Sequence, residues 1–151
     1  MGKINLGRVL LGGLLAGVVL TVLEFVLNGL IVGDQWTAAM ESLNRTAPEG
    51  AGVMIAYVVW NFLLGIALVW FYAAVRPRFG PGPKTAVITG LAVWFVVWLL
   101  MFGGTVIGNV FPTNLVVITV IWELFEVPIA TVAGAWLYQE GEAPAAAVPQ
   151  M

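Results

Sequence analysis

Trp122-Glu123-Leu124-Phe125-Glu126-Val127-Pro128 lies at the centre of an apolar run, residues 115–138, that is long enough to cross a bilayer. Two carboxylates inside such a run need a physical reason. A charged side chain near the bilayer centre costs roughly 2.5–3.5 kcal/mol even on lenient insertion scales, so each must turn inward, carry a proton or find a partner. Thr119, Glu123, Glu126, Ala130 and Ala133 fall on one helical face, so both glutamates can point inward together. The run is therefore read as a transmembrane helix and as the first candidate site.

Working back along the chain gives three more spans, about residues 9–32, 53–75 and 86–110. The predicted fold is an all-α membrane protein, a four-helix transmembrane bundle over residues 1–138. Residues 139–151, rich in Ala and Pro, are expected to form a disordered tail. The first run is too long for a signal peptide and carries no small-residue cleavage site at Glu24 to Asn28, so it is read as retained. Every basic residue except Arg45 lies in the N-terminus (Lys3, Arg8) or in the loop 76–84 (Arg76, Arg78, Lys84). The positive-inside rule then places both termini and that loop in the cytoplasm, in an inner (plasma) membrane. Trp36, Met40 and Leu43 recur at helical spacing after Asp34, which predicts a short interfacial helix in the loop between the first two spans.

Small and polar residues mark the faces along which these spans pack. In the first span Gly13, Gly17, Thr21, Glu24 and Asn28 share a face, and Gly13-x-x-x-Gly17 allows close helix approach. The second carries Tyr57, Asn61, Gly65, Leu68 and Tyr72 on its stripe, and the third repeats the close-packing spacing at Gly104 and Gly108. Gly12-Gly13-Leu14-Leu15 can be set against Thr89-Gly90-Leu91-Ala92, and residues 67–72 against 133–138. That pairing raises an internal duplication, two parallel helical hairpins, beside the alternative of a chance match in low-complexity sequence.

Composition narrows the chemistry. Hydrophobic residues make up 61% of the 151 and charged residues 9%, against about a quarter charged in soluble domains, which places the chain in the membrane class. A net charge of −2 with six basic residues provides no cationic face for nucleic acid. The chain has neither cysteine nor histidine, so disulfides, thiolate metal sites, the usual general base and the common haem ligand are absent. Ser42 is the only serine. No catalytic residue, cofactor or metal site is expected, and the chain is not read as an enzyme.

Counting from the span ends, Glu24, Asn61 and Glu123 each lie about eight residues, or roughly 12 Å, below the outer surface, with Glu126 one turn deeper. Carboxylates gathered in low dielectric cannot all stay ionised. Their available partners are protons, a bound cation, the amides of Asn61 and Asn28, or Arg45 folding down from the outer loop. Pro128 also leaves the Leu124 carbonyl without its helix donor. Trp60, Trp94, Trp98 and Trp122 lie within the spans, either as an aromatic wall for a lipophilic or cationic guest or as ordinary packing.

Residues 23–36, from Leu23 to Trp36, and the loop 76–84 resemble segments of small bacterial four-span membrane proteins with no assigned activity. The resemblance implies the topology and brings no catalytic residue. Small multidrug transporters are also four-span proteins with an intramembrane glutamate in the first helix, but here that residue lies toward the outer end and the fourth span adds two more. Two functions stay open. One is a non-catalytic bundle, an accessory subunit or a binder of lipid or lipophilic ligand. The other is a proton- or cation-coupled transporter or channel using Glu24, Asn61, Glu123 and Glu126. The partners expected are the lipid bilayer and a homodimer or larger membrane complex.

Overall fold

The computed structural model describes residues 3–139. Helix α1 spans Leu6–Val26 and runs into a π-helical turn, Leu27–Ile31; α2 spans Gly33–Ser42 and α3 Ala51–Phe79. Helix α4, Pro83–Trp94, continues through a π-helical segment, Phe95–Leu100, into α5, Met101–Ile107, and α6 spans Thr113–Leu137. Four of these stretches, Leu6–Ile31, Ala51–Phe79, Pro83–Ile107 and Thr113–Leu137, are long and apolar enough to cross a membrane. The chain is thus a four-helix bundle of the membrane class, and α2 is the short helix expected after Asp34.

Helix ends follow local chemistry. Asn5 caps α1 by accepting a hydrogen bond from the Arg8 amide at 3.1 Å. Pro83 sits in the first turn of α4, where its missing N–H costs nothing. The second span overruns its expected end. Helix α3 continues through Arg76, Pro77 and Arg78 to Phe79, so the start of the 76–84 loop is helical. Gly80 ends the helix with φ of +84°, a conformation that favours glycine. Of the expected tail, only Gln139 falls among the described residues.

Helix α6 is the axis of the bundle: 56% of its apolar stretch is buried, against 33%, 17% and 22% for the other spans. Glycine contacts fix its register with α1. A Cβ on Gly134 would lie 2.7 Å from the Gly12 carbonyl oxygen and 3.0 Å from the Ala16 Cβ. On the other side of α1, a Cβ on Gly65 would lie 2.5 Å from both the Gly13 carbonyl oxygen and the Gly17 amide nitrogen. Backbones this close are what small residues in membrane helices permit. Gly13, Gly17 and Gly65 are therefore packing residues. Among the described residues Gly104 meets nothing within 4 Å and Gly108 meets only its own segment, so the second close-packing signal has no occupant there.

The two hairpins correspond in detail. Gly13 packs on Ile66 at the α1–α3 contact, and Gly90 packs on Pro128 and Thr131 at the α4–α6 contact. Tyr72 and Tyr138 stack edge-on with ring centroids 6.0 Å apart. The Tyr72 hydroxyl accepts from the Gly82 amide, just before α4, and the Tyr138 hydroxyl accepts from the Asn5 amide, just before α1. Each hairpin thus ends in a tyrosine that holds the start of the other. Two parallel hairpins related by a pseudo-two-fold axis along the helices produce this pattern.

Candidate functional site: three converging glutamates

The α1–α6 register brings Glu24 to the level of the α6 acids. Gly12 lies opposite Gly134, and twelve residues on from Gly12 on an antiparallel pair correspond to twelve back from Gly134, at Trp122 and Glu123. Glu24, Glu123 and Glu126 then converge, with one carboxylate oxygen from each lying within 4.8 Å of the others. Glu123 and Glu126 are each only 1% exposed, and Glu24 is half-buried.

Neutral donors surround the three acids. Asn28, one turn after Glu24 at the i, i+4 spacing, donates its side-chain amide to the Glu24 carboxylate. Trp122 uses the same spacing to donate its indole N–H to Glu126 Oε2 at 2.6 Å. Trp98, in the π-helical segment, and Glu24 both lie within hydrogen-bonding reach of the Glu123 carboxyl. Each of the two π-helical stretches therefore carries a residue of this cluster or ends beside one, and π-turns frequently occur at functional sites. Arg45 stays exposed after α2, and among the described residues the side chains acting on the trio are glutamate, tryptophan and asparagine.

Several acceptors are left over. Glu123 Oε2, Glu126 Oε1 and Thr119 Oγ1 are buried without a hydrogen-bond partner. The threonine stands out from its peers: Thr21, Thr85, Thr89, Thr105 and Thr131 each donate their hydroxyl to a backbone carbonyl. Thr119 lies one turn before Glu123 on the buried face of α6. Long helical side chains lean toward the helix N-terminus, which carries the Glu123 carboxyl toward that hydroxyl.

An apolar plug closes the site toward α2. Leu27, Val32, Ala39 and Leu115 are buried together, with Trp36, Phe111 and Trp122 packed against them. Trp36 meets the edges of Phe111 and Phe102 at 5.1 and 6.2 Å. With Glu123 and Glu126 buried and no basic counterpart among the described residues, the three carboxyls can share protons or hold a cation between them. They cannot all be bare anions.

The remaining expected site residue lies apart. Gly13 opposite Ile66 and Gly17 opposite Phe62 set the α1–α3 register, which places Glu24 level with Ile55. Asn61 is six residues from that level, about 9 Å along the axis. It is half-buried, and no hydrogen bond joins it to the glutamates. Among the four tryptophans, Trp98 and Trp122 serve the acids, Trp94 donates to the Val120 carbonyl at 2.8 Å, and Trp60 is 68% exposed. Sequence reasoning missed the Trp122 role, although its i, i+4 spacing to Glu126 is visible in the sequence. Among the described residues no side-chain hydrogen bond reaches the Leu124 carbonyl. No family model, curated protein or solved structure matches the chain.

Proposed function

We propose that this protein is a proton- or cation-coupled membrane transporter or channel in which Glu24, Glu123 and Glu126 form one exchange site. The convergence of three carboxylates within 4.8 Å, two of them almost fully buried and none facing a lysine or arginine, carries the reading. Intramembrane acids facing a bundle interior mark ion pathways and proton relays, and interhelical hydrogen bonds in membranes, at about 0.6 kcal/mol on average, are a weak reason to carry three of them. The distribution of Lys and Arg supports an orientation with both termini and the 76–84 loop in the cytoplasm and α2 outside, in a bacterial inner membrane on this reading. The resemblance to small bacterial four-span proteins fits that setting.

A second reading, an accessory subunit or lipid-binding bundle, is favoured by the bare outer half of α3. Tyr57 and Trp60 there are 61% and 68% exposed, and open space surrounds Gly103 and Gly104. A second copy or another membrane protein seated there would complete a dimer or larger complex. Carbodiimide labelling in lipid nanodiscs, read by mass spectrometry, together with proton flux in dye-loaded proteoliposomes, tests the first reading against the second. The exchange site predicts labelling of Glu123 and Glu126, protection by a cation, and flux lost in Glu123→Gln and Glu126→Gln. Flux unchanged in both variants would leave the accessory reading.

A further inference from the structure

Building on the exchange site, we infer that its cation is a hard divalent ion, of the calcium or manganese class, ligated directly by Glu24, Glu123 and Glu126 with Thr119 as a neutral fourth oxygen. The donor set is the first argument. Every available ligand is oxygen, with no imidazole or thiolate in the whole chain, and carboxylate and hydroxyl oxygens suit calcium, magnesium and manganese rather than zinc or copper. Three acids and an unused hydroxyl are more ligand than proton sharing needs.

Thr119 is the second argument, and it is independent of the acids. Thr119 is 5% exposed and its hydroxyl has no partner among the described residues, whereas the five other buried or half-buried threonines are bonded to carbonyls. A buried polar group left unsatisfied costs about 1–3 kcal/mol, and a ligand that takes up its lone pair removes that cost. Together with Glu123 Oε2 and Glu126 Oε1, it puts three unclaimed oxygen acceptors on one face of α6.

Size and charge complete the case. Calcium bonds of about 2.3–2.6 Å let two ligand oxygens stand up to roughly 4.6–5.2 Å apart, a span that oxygens lying within 4.8 Å of one another fit. Magnesium, at about 2.0–2.1 Å, demands near-ideal octahedral ligands and gives up its waters reluctantly, which a buried, largely apolar site does not suit. A divalent ion on three carboxylates leaves one negative charge, which one retained proton cancels. Entry of the ion displaces the other protons. Binding is therefore a cation-for-proton exchange, in which the carboxylates give up protons and take the ion, and no other reactant is needed.

The test is manganese binding to the full chain in nanodiscs, followed by the loss of the free-ion EPR signal at pH 7.5. One tight site per chain is expected, displaced by calcium, poorly displaced by magnesium and indifferent to sodium. Glu123→Gln and Glu126→Gln should each weaken it at least tenfold, and Thr119→Val should weaken it less. Quenching of the tryptophan emission by bound manganese gives a readout in the unmodified protein. Absence of a tight site, or a site untouched by both Gln variants, overturns the inference. Carbodiimide labelling in the same sample separates the two proposals. Glutamates that still label, with no protection by calcium or manganese, sink the divalent ion and leave the exchange site standing.

Discussion

Replacing Glu123 by glutamine should stabilise the cation-free protein once its acids are driven to ionise. Oxygens of Glu24, Glu123 and Glu126 lie within 4.8 Å of each other. Two ionised carboxylates at that distance repel by about 3.5 kcal/mol at an effective dielectric of about 20. A glutamine carbonyl still accepts from the Trp98 indole, and its amide can donate to Glu24, so the neutral residue keeps the hydrogen bonds. Exchanging a charged acceptor for a neutral one gives back roughly 1–2 kcal/mol. The net expectation is a gain of about 2 kcal/mol when a neighbouring acid is ionised. Denaturant unfolding in mixed micelles with a chelator, followed by tryptophan fluorescence from pH 7 to pH 10, measures it directly: the gain should be near zero while the acids hold their protons and should grow as they ionise. Saturating calcium should then stabilise the parent protein by at least about 1.4 kcal/mol more than the variant. A loss of more than about 1 kcal/mol in the variant would refute the reasoning, because it would mean that the carboxyl is a structural hydrogen-bonding group rather than a strained, exchangeable one.

Other perturbations probe separate links. Gly13→Ala drives a Cβ to 2.5 Å from the Ile66 Cα and should cost about 1–3 kcal/mol in the same unfolding assay. Gly104→Ala enters open space and should leave monomer stability unchanged or raise it by up to about 1 kcal/mol, while a dimer seated on that face would show it as weakened association in crosslinking. Trp122→Phe removes the 2.6 Å donor to Glu126 and should cost about 1.5–3 kcal/mol in the ionised state, with little loss in Glu126→Gln, as a double-mutant cycle reads out. Leu27→Ala and Trp36→Ala thin the apolar plug and should speed carbodiimide labelling of Glu123 by at least several-fold; equal rates would place the water path elsewhere.

Sequence reasoning succeeds where one helix decides and fails where two must be put in register. The Glu123–Glu126 pair and its inward face follow from spacing along a single helix, and the four spans follow from apolar length. Asn61 was placed by counting down from the membrane edge, but the Gly13–Ile66 and Gly17–Phe62 contacts set the real level, and they pull it about 9 Å away from Glu24. Trp98 reads from the sequence only as one of four tryptophans that could wall a guest; its place beside Glu123 does not, because its segment is π-helical and the extra residue in each π-turn shifts the face that 3.6-residue counting assigns. Gly104 and Gly108 show the limit of a pattern: the spacing permits a close neighbour without supplying one.

The correspondence of the two hairpins bears on what the acids are for. Gly13 matches Gly90, and Tyr72 matches Tyr138, so a shift of 77 residues relates the first helices and one of 66 relates the second. The same shifts carry Glu24 onto Met101, Glu123 onto Tyr57 and Glu126 onto Trp60. The acids thus stand on one of two equivalent interfaces, and the other has none. Both hairpins are nevertheless closed by the same glycine contacts, and α1 meets α6 through Gly12, Ala16 and Gly134 near the opposite end of the helices. Assembly does not call on the carboxyls. On the function proposed above, groups that neither the glycine contacts nor the tyrosine hydrogen bonds depend on are there for what they bind, and the single asymmetric placement gives one such site per chain.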